Sequence, residues 1–240
     1  MNEFVAPLSP LNIGLALLPI VVLVGILYRW KLKPWELVYA TSRMITQLLL
    51  VGYFLAYLFG ADNISLMIVI ILIMITASSW ISLHTIRPYR LRLLPHAFLS
   101  VSIVGLLILF LILIAVLSIT PWYQASYIVP IGGMIFAASM NSISLAADRI
   151  VSELKSNSDY NTARNCAFQA SIIPSINSLF AVGLVTLPGM MTGQILAGVP
   201  PLIASQYQIV VMCMIMAAAG ISSAIFLVIS KDTFLTIKKT

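Results

Sequence analysis

Charge is scarce in this chain. Lys, Arg, Asp and Glu together make up 8% of its 240 residues. A soluble globular domain carries about a quarter charged residues, so this composition excludes a water-covered surface. From Asn165 to Ser230 no charged side chain occurs at all. Cysteine is nearly absent too. Cys166 and Cys213 both lie in or beside apolar stretches, which excludes a disulfide framework and suits small buried hydrophobes. The two histidines, His84 and His96, have no cysteine or acidic neighbour, so no zinc-site pattern forms. No Gly-rich loop ending in Lys-Ser or Lys-Thr is present, so the chain does not cradle nucleotide phosphates by that route. No Ser/His/Asp or Cys/His grouping suggests an enzyme. The N-terminus lacks a basic region and carries Glu3, so a cleaved signal peptide is not expected.

What remains is apolar. Hydrophobic residues make up 61% of the chain, and runs of about 18 or more apolar residues read as membrane-spanning helices. Seven spans are expected: Leu11–Tyr28, Trp35–Phe59, Asn63–His84, Ala97–Ile119, Tyr127–Ala147, Cys166–Leu187 and Leu202–Ile229. The expected fold is an all-α polytopic bundle of seven transmembrane helices in a single domain over residues 1–240.

The basic residues orient it. Arg29, Lys31 and Lys33 follow the first span, and Arg87, Arg90 and Arg92 the third. Arg149, Lys155 and Arg164 separate the fifth from the sixth, and Lys231, Lys238 and Lys239 follow the seventh. Only Arg43 lies within a span. Positive loops stay cytoplasmic, which puts the N-terminus outside and the C-terminus inside. The net charge of +6 therefore reflects topology and implies no nucleic-acid partner; the membrane lipid is the expected environment. Trp30, Trp35, Trp122 and Tyr123 fall where interfacial anchors are found.

Between the last two spans runs Leu187-Pro188-Gly189-Met190-Met191-Thr192-Gly193-Gln194-Ile195-Leu196-Ala197-Gly198-Val199-Pro200-Pro201. Pro and Gly interrupt a helix, and broken backbone at membrane depth must find partners in protein or along a water-filled cavity. A substrate path is one such place; an ordinary external loop is the plainer alternative. Pro188 and Gly189 are expected to end the sixth helix. Met190 to Ala197 should form a short helix or re-entrant loop packed on the bundle. Gly189 and Gly193 are expected at positive φ or at a close backbone approach.

Other residues could carry transport chemistry. Arg43 and Gln47 share one helical face; either they belong to a path or Arg43 snorkels to the interface. Asn141, Ser142 and Ser144 lie in the fifth span, and Asn177 and Ser178 follow Pro174 in the sixth. Such groups hydrogen-bond neighbouring helices or touch substrate. Met190, Met191, Met212, Cys213, Met214 and Met216 supply sulfur, which either fills gaps in the core or binds soft metals. The segment Asp148–Arg164, with Glu153, Lys155 and Asp159, is the most charged part of the chain. It is either a solvated loop or a helix-turn-helix that engages a cytosolic partner.

Four segments are similar to a known family. They are Arg43-Met44-Ile45-Thr46-Gln47 with Gly52-Tyr53, Val129-Pro130-Ile131-Gly132-Gly133-Met134-Ile135, Pro174-Ser175-Ile176-Asn177-Ser178, and the run from Val182 to Ile195 continued by Tyr207-Gln208-Ile209-Val210-Val211. On these the chain resembles the iron-export ABC permease family (FetB-like), which includes plant membrane proteins linked to aluminium tolerance. The resemblance implies a permease subunit that pairs with itself and moves iron or another metal ion out of the cytoplasm. ATP would be bound by a separate cytosolic subunit and no cofactor by this chain. Asp148, Arg149, Glu153, Lys155, Asp159 and Arg164 would couple to that subunit. Arg43, Gln47, Asn141, Asn177, Pro188, Gly189, Met190, Met191, Gly193 and Gln194 are the substrate-path candidates. The rival expectations are an ATPase-independent transporter or channel, and a non-transporting membrane partner protein with the same fold.

Overall fold

A computed structural model describes residues 9–58, 63–156 and 159–238. Phe59 and Lys239, which bear on the expected spans, and Glu3 lie outside them. The described residues form helices, turns and one isolated two-residue bridge. Among the described residues, five helical segments are long and apolar enough to cross a membrane: Leu11–Arg29, Ile64–Ser82, Arg87–Val116, Ala125–Lys155 and Pro201–Ile229. The chain divides into two compact units, Met1–Gly60 and Ala61–Thr240.

The first unit holds α1 (Pro10–Ala16), α2 (Leu18–Arg29) and α3 (Pro34–Leu58). The first expected span is thus interrupted at Leu17. Pro19 lies in the opening turn of α2, where its missing N–H costs nothing, and Ile20 and Val21 both donate to the Leu17 carbonyl. α2 turns into α3 through Lys31, at φ 56°, with the Leu32 N–H on the Leu27 carbonyl at 2.9 Å.

The second unit is built around α6 (Ala125–Lys155), which packs against α4 (Ile64–Ser82), α5 (Arg90–Phe110), α7 (Tyr160–Ala181) and α9 (Pro201–Ile229). Asn63 caps α4 by accepting from Ser65 and Leu66. Close approach is possible because small residues face each other. Ala218 and Ala219 of α9 are buried against α6, the arrangement by which membrane helices gain packing and hydrogen bonds. The Phe136 ring lies over Gly105 of α5 and Gly132 of its own helix.

Four span boundaries, in α5, α6 and α7, differ from the sequence expectation. α5 begins at Arg90 rather than Ala97 and carries Pro95 inside it, so the helix runs through the proline and forgoes the hydrogen bond that position would have given to the Leu91 carbonyl. It then relaxes into a π-helical stretch, Leu111–Val116. α6 runs on to Lys155, eight residues past Ala147, and α7 begins at Tyr160, before Cys166. α7 also stops at Ala181, short of Leu187. The short helix α8 (Gly189–Leu196) packs on α9, and α10 (Lys231–Lys238) closes the chain against α6 and α9.

Candidate functional site

Pro174 sits inside α7. A proline there cannot donate to the carbonyl one turn back and leaves it open. Around it, Ser171, Pro174, Ser175, Ser178, Leu179 and Val182 recur at helical spacing, so they form one face of α7. On α9, Ser205, Gln208, Ile209, Met212 and Cys213 do the same. One cavity lies between the α7 face and α6, and a second between the α7 and α9 faces.

The first, about 460 Å³, is lined by Asn141, Ser142, Ser144, Ser171, Ser175 and Ser178 among others. Its wall is a set of hydroxyls. Ser142 donates to the Ser171 carbonyl at 3.4 Å, and Ser171 shares a 3.3 Å hydrogen bond with Ser223 of α9. Deeper in, Ser222 donates to Ser139 at 2.9 Å, and Ser139 to the Ala218 carbonyl at 3.3 Å. The buried serines therefore tie α6, α7 and α9 together. Asn141, by contrast, is exposed at the cavity edge.

The second cavity, about 420 Å³, is bounded by α7, α8 and α9. Apolar groups dominate it, with Met191, Met212 and Cys213 contributing sulfur. Gln208 is its buried polar group, 5% exposed, and its side-chain carbonyl oxygen has no hydrogen-bond partner.

The interrupted stretch is well ordered by its own hydrogen bonds. After Ala181 the chain closes a tight turn in which Val185 and Thr186 donate to the Ala181 carbonyl and Gly183 to that of Thr186. Pro188 precedes α8, and its carbonyl accepts from the Thr192 backbone at 3.0 Å and hydroxyl at 3.1 Å. The expected short helix over Met190–Ala197 is therefore present as α8. The helix before it ends seven residues ahead of Pro188, because the Gly183 turn stops α7 first. Glycine roles are also redistributed. The positive φ values are 85° at Gly183 and 91° at Gly198, whereas Gly189 and Gly193 are helical with open space where a Cβ would lie.

The expected path residues thus separate. Asn141 lines the first cavity and Met191 the second. Asn177 is exposed and lines neither. Pro188, Gly189, Met190, Gly193 and Gln194 shape or belong to α8 without lining the cavities, although the Gln194 side-chain oxygen is also buried without a partner. Arg43 and Gln47 belong to the first unit, where both are exposed on α3. Sequence reading overlooked Ser171 and Ser205, and took Ser175 and Gln208 only as parts of family-like segments, not as path candidates. The serine repeat on α7 was a usable signal; Gln208 looked no different from the exposed Gln206.

At the charged end, Asp148–Arg164 is not a loop but two helix ends joined by a short connection. Arg149 and Glu153 pair at 2.6 Å, one turn apart on α6. Lys155 occupies the last turn of α6, where a cation suits the helix dipole. Asp159 caps α7, accepting from the Asn161 and Thr162 backbone at 3.1 and 3.3 Å. Hydrogen bonds from the side chain and backbone of Thr162 hold its carboxyl below the ordinary carboxylate range. Arg164 donates to the Asn165 side-chain oxygen, and Asp148 is exposed. Tyr160, before the apolar part of α7, is buried. Its hydroxyl donates to the Leu227 carbonyl, locking α7 to the end of α9, and burial pushes its pKa up to about 12.

Among the described residues no three His, Cys, Asp or Glu side chains gather as metal ligands. Comparison with known proteins supplies the family. The uncharacterised protein family UPF0014 matches residues 10–235. A UPF0014 membrane protein of Synechocystis sp. is 36% identical over 203 residues, covering 78% of each chain. The probable iron export permease protein FetB of Escherichia coli is 30% identical over 231 residues, covering 89% of this chain and 87% of its own. The protein ALUMINUM SENSITIVE 3 of Arabidopsis thaliana is 29% identical over 205 residues, 78% of this chain and 73% of its own. No solved structure matches. With its apolar spans and a family match across nearly its whole length, this chain is a multi-pass membrane protein of the UPF0014 family.

Proposed function

We propose that the chain is the membrane permease subunit of an ABC-type exporter that moves a metal ion, iron or another, out of the cytoplasm. The observation that carries this reading is the near full-length relationship to a protein named as a probable iron export permease. The chain acts as one permease domain of seven spans, with α3 and α7 crossing beside the five more apolar segments. The N-terminus is outside and the C-terminus inside, as the basic residues require. Two copies pair above two ATP-binding subunits.

Two features of the second unit support it. The cavities follow one another along one face of α7, the first beside α6 and the second beside α8 and α9, as alternating access needs. The capped turn between α6 and α7 presents Asp148, Arg149, Glu153, Lys155, Asp159 and Arg164 to the cytoplasmic side on two stiff helices. The hydrolysis that drives transport belongs to the partner; this chain supplies the path.

The test is co-purification of the chain with a soluble ATPase, followed by ATP-dependent uptake of Fe²⁺ into inside-out vesicles. Retention of the ATPase with ATP-driven uptake is expected. Flux through the chain alone, in liposomes without ATPase, would favour the second reading, an uncoupled transporter, which the brevity of the α6–α7 connection supports. Neither flux nor ATPase retention would leave a non-transporting partner protein.

A further inference from the structure

We propose that the cavity bounded by α7, α8 and α9 binds a soft monovalent metal ion of the Cu(I) or Ag(I) class, through Met191, Met212 and Cys213. This deepens the metal-transport reading and rests on it for the ion's passage, though not for its binding.

Three sulfur-bearing residues from two helices, Met191 of α8 and Met212 and Cys213 of α9, line one space. Thioether and thiolate donors select soft ions over hard ones. The other donor type that an iron or zinc site would use is missing, because no three His, Cys, Asp or Glu side chains gather among the described residues. Gln208 adds an independent sign of an occupant. It is 5% exposed, lines this cavity, and its Oε1 has no partner. Buried acceptors are rarely left so, and a cation in the cavity supplies what is missing.

Charge sets the valence. The remaining walls, including Leu179, Val182, Leu187 and Ile209, are apolar; Cys213 is itself exposed, but at the depth of the charge-free span around it an uncompensated charge is still costly. When the Cys213 thiol gives its proton to solvent and binds the ion through sulfur, a monovalent ion and the thiolate sum to zero. A divalent ion would leave one positive charge unpaired. The alternative, that the methionines merely fill space, is common in apolar cores and predicts no ion binding beyond that of a lone thiol.

The experiment uses the full chain purified in detergent, silver nitrate as a redox-inert probe, and mass spectrometry of maleimide labelling at each cysteine. Cys166, which lines neither cavity, is the internal comparison. Near-stoichiometric Ag⁺ should protect Cys213 at concentrations at least tenfold below those that protect Cys166. Met191→Leu and Met212→Leu, both close in volume, should each raise the half-protecting concentration at Cys213 about tenfold. Met214→Leu, buried in α9 away from the cavity, should leave it unchanged. Anaerobic Fe²⁺ and Zn²⁺ should not protect Cys213 at a hundredfold excess. Equal protection of the two cysteines, or no effect of the Met191 and Met212 changes, overturns the site. Protection by Fe²⁺ as strong as by Ag⁺ overturns the ion class. Should either Met variant misfold, Ag⁺ retained after desalting by Cys213→Ser and Cys166→Ser decides: loss of the tight ion in the first alone supports the site, and equal retention overturns it. If Ag⁺ binds as expected but ATP drives no flux, the transport reading fails and the site stands. If iron is exported while Cys213 stays unprotected, the site fails and the transport reading stands.

Discussion

A methyl group added at Gly105 should destabilise the bundle, even though alanine favours helix. A Cβ there would lie 2.4 Å from Cε1 and 2.9 Å from Cδ1 of Phe136. Carbon atoms in contact sit about 3.5–4.0 Å apart, so the ring must move by roughly 1 Å. It has little room, being 2% exposed within the bundle. Overpacking of this kind costs about 1–3 kcal/mol. Replacing Gly by Ala within a helix returns about 1 kcal/mol. Since the overlap is large, the net loss for Gly105→Ala should be about 1–2 kcal/mol, or roughly 2–8 °C in Tm for a chain of this size. Thermal unfolding in detergent measures it. Phe136→Leu alone should also destabilise, by creating space. In the double variant the methyl occupies that space, so its cost should fall short of the sum by about 1–2 kcal/mol. A raised Tm for Gly105→Ala, or additivity within about 0.5 kcal/mol, would refute the idea that α5 and α6 meet through this ring.

The other predictions concern the interrupted stretch, the charged end and the topology. Gly183→Ala, at φ 85°, should cost about 1–2 kcal/mol of stability, whereas Gly193→Ala, with open space in a helix, should be neutral or stabilising; equal effects in a thermal-shift comparison would reject the reassigned glycine roles. Tyr160→Phe should lose about 0.5–1.5 kcal/mol through the vacated Leu227 carbonyl. Because burial raises the Tyr160 pKa from 10.0 to about 12, its contribution is complete below pH 10 and disappears as pH rises through 12; the stability gap between parent and Tyr160→Phe should close over that window. Asp159→Ala should cost about 1 kcal/mol by uncapping α7, while Asp159→Asn keeps the cap, so any loss of ATPase retention in the Asn variant isolates a role for charge. For topology, an impermeant thiol reagent on intact cells should label Asn2→Cys and spare Thr240→Cys in a chain without its own cysteines; the reverse pattern would invert the orientation.

Much of the helical order was legible because its causes are local. Apolar run length marked the spans, Asn63 and Asp159 are ordinary cap residues, and the density of Pro and Gly announced a break before α9. The sequence misplaced the ends of α5, α6 and α7, since charge density was taken as the limit of helix. Arg149 and Glu153 lie one turn apart and favour helix, so α6 simply continues. The end of α7 was read at Pro188 because proline is the louder signal, yet the Gly183 turn comes first.

By itself, then, the sequence determined a membrane-embedded helical protein, the clustering of its basic residues between apolar runs and the presence of α8, because apolarity, loop charge and helix breaking act within a few residues. Only the tertiary structure decided which polar groups meet. Ser139 and Ser222 come together through the packing of helices distant in sequence, and Met191 and Met212 come to line one cavity; no local rule records either. The same packing set Gln208 in an apolar cavity with its oxygen unpartnered and left Asn177 exposed, although the two amides look alike in sequence. Burial belongs to the helix face that neighbours cover, and that depends on the angles and depths at which α6, α7, α8 and α9 pack.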